Sequence, residues 1–288
     1  MKGAHRSVAP EQTIARAEPH FAQCGITRVA NVTGLDRIGI PVIMVMRPNS
    51  RSVAVSQGKG VDVMAAKASG IMEAIETWHA ERIVVPMLYG RANDLAAAHR
   101  LIDVARLPQV SNSRYDGQMR LMWVQGGDLM GGPACWVPYE MVHTDYTHPR
   151  PEGHGCFACS SNGLASGNNL LEANIHAICE IIERDATGLW YLSGDAERAC
   201  RRLDLSSIDD LECGALVDRI AMADLDLAVW ETTSDVGVPS FYCLLSGSEH
   251  EHVGEGAGCH PCKAVALSRT LTEAAQTRLT YISGARDD

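Results

Sequence analysis

Three helical segments with polar side chains along one face constrain this chain more than any other feature. The first lies in SQGKGVDVMAAKASGIMEAIETWHAE, which follows residue 55 and contains an alanine-rich helix predicted over about 63–82. At about 100° per residue, Glu73 lies roughly 40° from Ser69, and Glu76 lies roughly 20° from it on the other side. One narrow face of the helix therefore carries a hydroxyl and two carboxylates.

The second segment is a long helix predicted over about 170–192, and SGNN before it supplies natural N-caps. With Glu172 as the reference, His176 lies roughly 40° away, Glu180 roughly 80° and Glu183 roughly 20°. Four polar groups form one stripe over three turns, and Arg184 follows directly. The third segment, predicted over about 264–283, repeats the pattern on a shorter face.

On the third helix, Arg269, Glu273 and Gln276 lie within roughly 60° of one another. A solvated surface is the simplest interpretation of any one stripe. Three such stripes weaken it, because clustered carboxylates repel each other unless a cation lies between them. Mg²⁺ prefers one or two carboxylates together with substrate phosphates. A magnesium–nucleotide site is therefore predicted, with Lys59 and Arg184 facing phosphate, although no P-loop motif is present.

Short apolar segments between the helices predict a mixed α+β fold with a largely antiparallel or mixed sheet. A glycine-rich loop is predicted over 153–168, and the segment GEGAGCHPC is predicted as a second loop. No internal repeat and no linker are evident. The predicted strands are 41–47, 52–56, 119–125, 135–142, 225–232 and 241–245.

Charge and hydropathy exclude several classes of protein. The chain has 288 residues and a formal net charge of −10, which argues against a general nucleic-acid binder. No apolar segment resembles a signal peptide or reaches the length of a membrane span. A cytoplasmic protein without membrane or nucleic-acid partners is therefore expected.

Four of the ten cysteines form two CxxC pairs, Cys156/Cys159 and Cys259/Cys262. Two such pairs are the ligand set of a tetrathiolate Zn²⁺ site, and each lies just before a polar-faced helix. A structural zinc is the leading interpretation. A redox dithiol or sulfur carrier is one alternative, and four unrelated buried thiols are another.

Three stretches resemble the nucleotide-binding motifs of the YcaO family, in the same order along the chain. They are GKGVDVMAAKASGIMEAIETWHAE, SSNGLASGNNLLEANIHAICEIIERDA and HPCKAVALSRTLTEAAQTRLTYISGARDD. The resemblance covers about residues 28–288 and leaves 1–27 as an N-terminal extension. It implies a YcaO-like fold with the motif helices lining a Mg²⁺–nucleotide site. The third stretch is most similar to the subgroup that works beside a TfuA partner protein.

The resemblance also implies a chemistry. YcaO proteins use ATP and Mg²⁺ to phosphorylate the oxygen of a peptide backbone amide after a nucleophile adds to its carbonyl. A substrate side chain as nucleophile gives an azoline, and a sulfide donor gives a thioamide. A peptide or protein substrate, a TfuA-like partner and a homodimer are the expected partners. One branch of the family is linked instead to methylthiolation of a ribosomal protein.

Site residues are transferred only where this sequence matches the family motifs. Gln276 and Glu273 match the third motif, but its arginine is either Arg278 or Arg286. The remaining ATP-binding residues implied by the resemblance are Lys59, Ser69, Glu73, Asn168, Glu172 and Arg184. The implied Mg²⁺ ligands are Glu76, Glu180 and Glu183.

Two departures from the family pattern favour an alternative function. Thr77 occupies the position where the family usually has arginine, and the family usually continues beyond the final RDD. A C-terminally shortened, non-catalytic ATP-binding accessory protein is therefore the second hypothesis. No catalytic residue is assigned, and the candidate general bases are His79, His176 and His260.

Overall fold

The computed structural model describes residues 5–247 and 252–285, which form two compact units. The first unit contains residues 5–49, 53–76, 162–247 and 252–285, and the second contains 50–52 and 77–161. The helices are α1 Pro10–Ala17, α2 Phe21–Cys24, α3 Val63–Ala80, α4 Ala92–Leu95, α5 Leu170–Leu192, α6 Asp195–Cys200, α7 Leu211–Met222 and α8 Lys263–Ile282. The strands are β1 Arg28–Asn31, β2 Val42–Met46, β3 Val55–Lys59, β4 Met87–Arg91, β5 Arg120–Gly126, β6 Cys135–Pro138, β7 Asp226–Glu231, β8 Ser240–Ser246 and β9 Gly254–Cys259.

The first unit contains the same succession of elements twice, which the sequence alone did not reveal. Helices α1 and α2 precede the antiparallel sheet β1–β2–β3, and α3 follows it. Helix α7 likewise precedes the antiparallel sheet β7–β8–β9, and α8 follows it. Several matching residues lie 200 positions apart in the two copies, among them Gly58 and Gly258, Ala66 and Ala266, and Glu73 and Glu273.

Glycine brings each long helix directly onto its sheet. A Cβ on Gly58 would overlap the carbonyl oxygen of Ala66, and a Cβ on Gly258 would overlap that of Ala266. In β9, alternate glycines at 254 and 256 meet the carbonyls of the next two turns of α8 in the same way. The glycines of β3 and β9 therefore allow the backbone of each strand to approach the backbone of its helix closely. This contact fixes the polar face of each helix relative to the end of its strand.

The hydrophobic core of the first unit lies between its second sheet and the helices α7 and α8. Phe241 and Leu245 of β8 pack there with Ile220 of α7 and Leu271 of α8. A smaller aromatic cluster joins Trp190 of α5 to Tyr242 of β8, with ring centroids 4.7 Å apart. These contacts hold α5 and α8 against the second sheet.

The second unit has its own sheet, β4–β5–β6, which is also antiparallel. Trp123 and Phe157 are buried in its core with Trp136. The buried carboxylate of Glu140 accepts hydrogen bonds from the backbone N–H groups of residues 155, 156 and 157. Glu140 thereby fixes the loop that contains the first CxxC pair.

The mixed α+β class is confirmed, and the predicted boundaries of the three long helices lie within two residues of those observed. The segment GEGAGCHPC was wrongly predicted as a loop, because its first six residues form strand β9. None of the helices described in residues 5–247 and 252–285 combines the length and apolarity needed to cross a bilayer.

Candidate functional site

The polar faces of α3, α5 and α8 come together in the first unit. Helix α3 contributes Glu73 and Glu76, both half-buried, and Ser69, which is exposed. The Oε1 of Glu73 accepts a hydrogen bond from the backbone N–H of Gln57, at 3.2 Å. Burial raises the pKa of Glu76 to about 8, against a hydrogen bond with Ser166 and with reinforcement from neighbouring carboxylates.

Helix α5 contributes the most buried carboxylate of the site. Glu183 is 3% exposed, and burial followed by the charge of Glu273 raises its pKa. Arg184 donates to Glu183 at 2.7 Å and to Glu180 at 3.4 Å. The pKa of Glu180 is also raised by burial, although Arg184 opposes the shift. The two carboxylates therefore lie side by side with one guanidinium between them.

Helix α8 closes the site opposite the end of β3. Burial alone would raise the pKa of Glu273, but its ion pair with Lys59 keeps it below the usual value. Gln276 donates to the backbone carbonyl of Gln57 at 3.4 Å. The Oε1 of Gln276 and the Nε of Arg269 are buried without a hydrogen-bond partner among the described residues. Such groups need a polar partner, which either a ligand or water can supply.

The charges of this cluster fit a magnesium–polyphosphate group. Five carboxylates, Glu73, Glu76, Glu180, Glu183 and Glu273, face three cations, Lys59, Arg184 and Arg269. Burial, reinforced by the neighbouring carboxylates, raises the pKa values of Glu76, Glu180 and Glu183, so the site disfavours their negative charge when no cation is bound. A divalent cation would compensate that charge, and the arginines and Lys59 would meet the phosphates.

The N-terminal segment also enters this cluster. Arg6 donates to Glu172 at 3.0 Å, and the hydroxyl of Ser7 donates to the same carboxylate at 2.6 Å. Asn168 bonds Glu172 at 3.2 Å and accepts from Thr13 at 2.9 Å. The sequence analysis missed Arg6 and Ser7, because they lie in a segment without periodicity and more than 160 residues from their partners.

Of the two candidate arginines of the third motif, the structure describes only Arg278. Arg278 is 5% exposed, and its Nε donates to Asp36 at 2.7 Å while Nη1 donates to the carbonyl of His252 at 3.3 Å. This arrangement favours a structural role for Arg278, and a phosphate contact from it stays a prediction. Arg286 lies outside the described residues.

The structure corrects the zinc interpretation of the two CxxC pairs. The predicted ligands were Cys156, Cys159, Cys259 and Cys262. No group of three or more His, Cys, Asp or Glu side chains in residues 5–247 and 252–285 is arranged to hold a metal ion. Magnesium differs, since phosphates and water supply most of its ligands. The three helices need to provide only one or two.

The cysteines of the first pair have partners within the second unit. The thiol of Cys156 is buried and donates to the carbonyl of Gly153 at 3.4 Å. The thiol of Cys159 donates to the carbonyl of Glu140 at 3.2 Å. Burial raises the pKa of both thiols, with reinforcement from the charge of Glu140. Both thiols are therefore protonated near neutral pH in the metal-free protein.

The cysteines of the second pair belong to the first unit and differ from each other. Cys259 ends β9, is buried and shares a hydrogen bond with Cys179 of α5. Cys262 is half-buried at the N-cap of α8, and its backbone N–H donates to Nδ1 of His260 at 2.9 Å. Cys262 occupies the N-cap position without a side-chain hydrogen bond to the helix, and nothing in its surroundings among the described residues supports the predicted role as a metal ligand. The CxxC spacing suggested a Zn²⁺ site, but spacing gives only the distance along the sequence and not the surroundings of each thiol.

The chain is similar to a known family and to several proteins over most of its length. The family model described as YcaO cyclodehydratase, ATP- and Mg²⁺-binding, matches residues 57–288. An uncharacterized protein in the tfuA 3′ region of Rhizobium leguminosarum bv. trifolii is 38% identical over 98% of this chain and 69% of its own length. An uncharacterized protein of Mycobacterium tuberculosis is 36% identical over 99% of this chain. The chain spans 64% of that second relative.

Solved structures share the fold. YcaO from Methanopyrus kandleri, bound with AMPPCP and Mg²⁺, superimposes with a TM-score of 0.79 at 21% identity, over 100% of this chain and 72% of the other. A heterocyclase in complex with substrate and cofactor gives a TM-score of 0.78 at 21% identity, over 94% of this chain and 40% of the other. The YcaO-like fold expected from the sequence is thereby confirmed.

Proposed function

The chain belongs to the YcaO family, and from that premise we propose that it uses ATP and Mg²⁺ to activate a backbone amide of a ribosomally made peptide or protein. The product is a thioamide or an azoline. The observation that carries the proposal is the pair of Glu183, which is buried, and Glu180, which is half-buried, sharing Arg184 within the charge cluster. The structure of a family member with AMPPCP and Mg²⁺ supports the choice of ligand.

The proposed roles follow from charge and position. Glu76, Glu180 and Glu183 are the carboxylates from which each Mg²⁺ would take one or two ligands, and Arg184 and Lys59 would bind phosphate oxygens. Ser69, Glu73, Asn168, Glu172 and Gln276 complete the nucleotide site, Ser69 from the exposed side of α3. When bound, ATP supplies the phosphoryl group that turns an amide oxygen into a leaving group. The protein contributes positioning and charge stabilisation, which dominate catalysis of phosphoryl transfer.

Calorimetric titration of Mg-ATP into the 288-residue chain tests the site. We expect magnesium-dependent binding that a Glu180→Gln, Glu183→Gln double variant weakens by about 100-fold or more, since even outer partners of metal ligands are worth about 10–100-fold. Glu197→Gln, an exposed carboxylate on α6 paired with Arg201, is the matched control and should bind normally. A wild-type chain that does not bind Mg-ATP would contradict the proposal.

A non-catalytic ATP-binding accessory protein is the second candidate. Thr77, where the family usually has arginine, is buried on α3 and carries no charge for a phosphate. ATP turnover that rises with added peptide separates the two functions, because an accessory protein binds ATP without peptide-dependent hydrolysis. Mass spectrometry of the peptide then distinguishes loss of water, which marks an azoline, from exchange of oxygen for sulfur.

A TfuA-like partner is part of the proposal. The relative in the tfuA 3′ region supports it, since the two chains are 38% identical. Co-purification of this chain with a co-expressed TfuA protein tests the association, and separate elution of the two proteins would count against it. The homodimer expected from the family stays a prediction that light scattering can check.

A further inference from the structure

His176 lies between two arginines in the first unit. It is on the polar face of α5, one turn after Glu172 and one turn before Glu180. Its Nδ1 is 3.2 Å from Nη2 of Arg6, and its Nε2 is 3.0 Å from Nη2 of Arg269. A single imidazole therefore contacts two guanidinium groups through its two opposite nitrogens.

His176 and the two arginines together have more hydrogen-bond donors than acceptors. A neutral imidazole has one donor and one acceptor nitrogen, and a guanidinium has only donors. Burial and the nearby cations, Arg269 first, lower the pKa of His176 to about 2, so the ring is neutral. His176 can accept from only one arginine at a time, and the other arginine faces a ring N–H.

The unmatched donor belongs most simply to Arg269. Arg6 also has the carboxylate of Glu172, at 3.0 Å. Arg269 has its hydrogen bond to His176, and its Nε is buried without a partner among the described residues. The two guanidiniums also repel each other. Burial, and then the charge of Arg269, lowers the pKa of Arg6. An anionic oxygen between them would supply the missing acceptor and offset the repulsion.

We propose that His176 is a positioning residue that holds Arg6 and Arg269 on one phosphate group of the bound nucleotide. This inference rests on the proposed nucleotide site and adds the N-terminal segment to it. A carboxylate in place of His176 would neutralise one guanidinium and compete with the phosphate. A neutral ring accepts from one arginine, lies against the other, and leaves the positive charge of both for the ligand.

A general-base role for His176 is disfavoured by the same contacts. A base needs a ring nitrogen that is free to reach a substrate proton. Both ring nitrogens of His176 are occupied by Arg6 and Arg269. His176 therefore acts through its neighbours and not on the substrate.

Calorimetry of Mg-ATP with variants of His176 tests the inference. His176→Ala should weaken binding by about 10–100-fold, the range expected when a charged hydrogen-bonding group loses its partner. His176→Gln places an amide near the Nε2 position, and His176→Asn places one near Nδ1. Recovery by one of them identifies which arginine depends on the ring. Wild-type affinity in His176→Ala would overturn the proposal.

A double-mutant cycle separates positioning from a general loss of structure. In an Arg269→Gln background, His176→Ala should cause little further loss of affinity, since the two side chains act as a unit. Additive losses accompanied by a lower melting temperature in the nucleotide-free protein would indicate a structural role and overturn the proposal.

Inorganic tripolyphosphate keeps the two hypotheses distinguishable. If the wild type fails to bind Mg-ATP but binds tripolyphosphate in a way that His176→Ala weakens, the arginine pair is a phosphate site and the nucleotide assignment fails. If neither compound binds the wild type, both proposals are overturned.

Discussion

At the scale of single residues, Arg278 of α8 contrasts with Arg184 of α5 in its surroundings. Its guanidinium is buried against Asp36, whose side chain is 2% exposed. Removing one member of a buried ion pair leaves an uncompensated charge, which is far more costly than losing an exposed pair. Arg184, which is 44% exposed, lies at the other extreme.

Arg278→Ala should lower the free energy of unfolding by about 3–5 kcal/mol, with Asp36→Ala giving a similar loss. Arg184→Ala should lower it by less than about 1 kcal/mol and should instead weaken Mg-ATP binding. Denaturant unfolding and calorimetry on the same variants make the comparison. A stable Arg278→Ala protein with poor Mg-ATP affinity would restore Arg278 as a phosphate contact.

Helical periodicity predicted which carboxylates share a face, because the angle between positions depends only on local geometry. It therefore placed Glu73 with Glu76 and Glu180 with Glu183. It could not predict that Arg6 approaches Glu172, since nothing local records a contact across 166 residues. The burial of Arg278 against Asp36 likewise could not be predicted, because the two residues are distant in sequence.

At the scale of elements, strand β9 depends on having almost no side chains on the face toward α8. Glycine lowers intrinsic strand stability, which is why the sequence predicted a loop there. The close approach of α8 compensates, since its buried face includes Leu267, Leu271 and Leu279. Packing between distant elements thus decides the conformation of a segment whose local preference is for a turn.

Gly258→Ala should destabilise the protein by about 1–3 kcal/mol or more, because the new Cβ overlaps the backbone carbonyl of Ala266 and the helix must move. Gly58→Ala should do the same through Ala66. Thermal and denaturant unfolding provide the measurement.

Gly214→Ala in α7 is the matched control. No atom lies within 4 Å of its added Cβ, so helix propensity should stabilise the protein by up to about 1 kcal/mol. Equal effects at Gly258 and Gly214 would show that the helix does not lie on the strand as described.

At the scale of the whole molecule, the second unit carries its own response to acid. His143 is 1% exposed, stacks on Tyr139 and lies with its Nε2 2.7 Å from Nε2 of His154. Burial, then the charge of His154, lowers the pKa of His143 to about 4, against the opposing charges of Asp145 and Glu140. The folded unit therefore keeps this ring neutral at pH values where the unfolded chain protonates it.

Stability contributed by His143 is present above about pH 6.5 and is lost as the pH falls toward 4, because the unfolded state binds the proton first. Between pH 7 and pH 5 the loss should be on the order of 1–2 kcal/mol. His143→Gln should flatten this dependence, and His99→Gln, in the same unit, should not. Denaturant unfolding at several pH values, followed by tryptophan fluorescence, tests it; equal slopes in all three proteins would contradict it.

The repeated succession of elements in the first unit bears on the orientation in which a ligand can bind. If the two copies were identical, an asymmetric ligand could bind in two equivalent orientations. Here Ser69 corresponds to Arg269, and Glu76 corresponds to Gln276, 200 positions further on. Of the three polar positions only Glu73 and Glu273 are alike, and Glu273 is already engaged by Lys59. Divergence between the copies therefore gives the site a polarity, so that a ligand with a charged end and an apolar end has one way to bind.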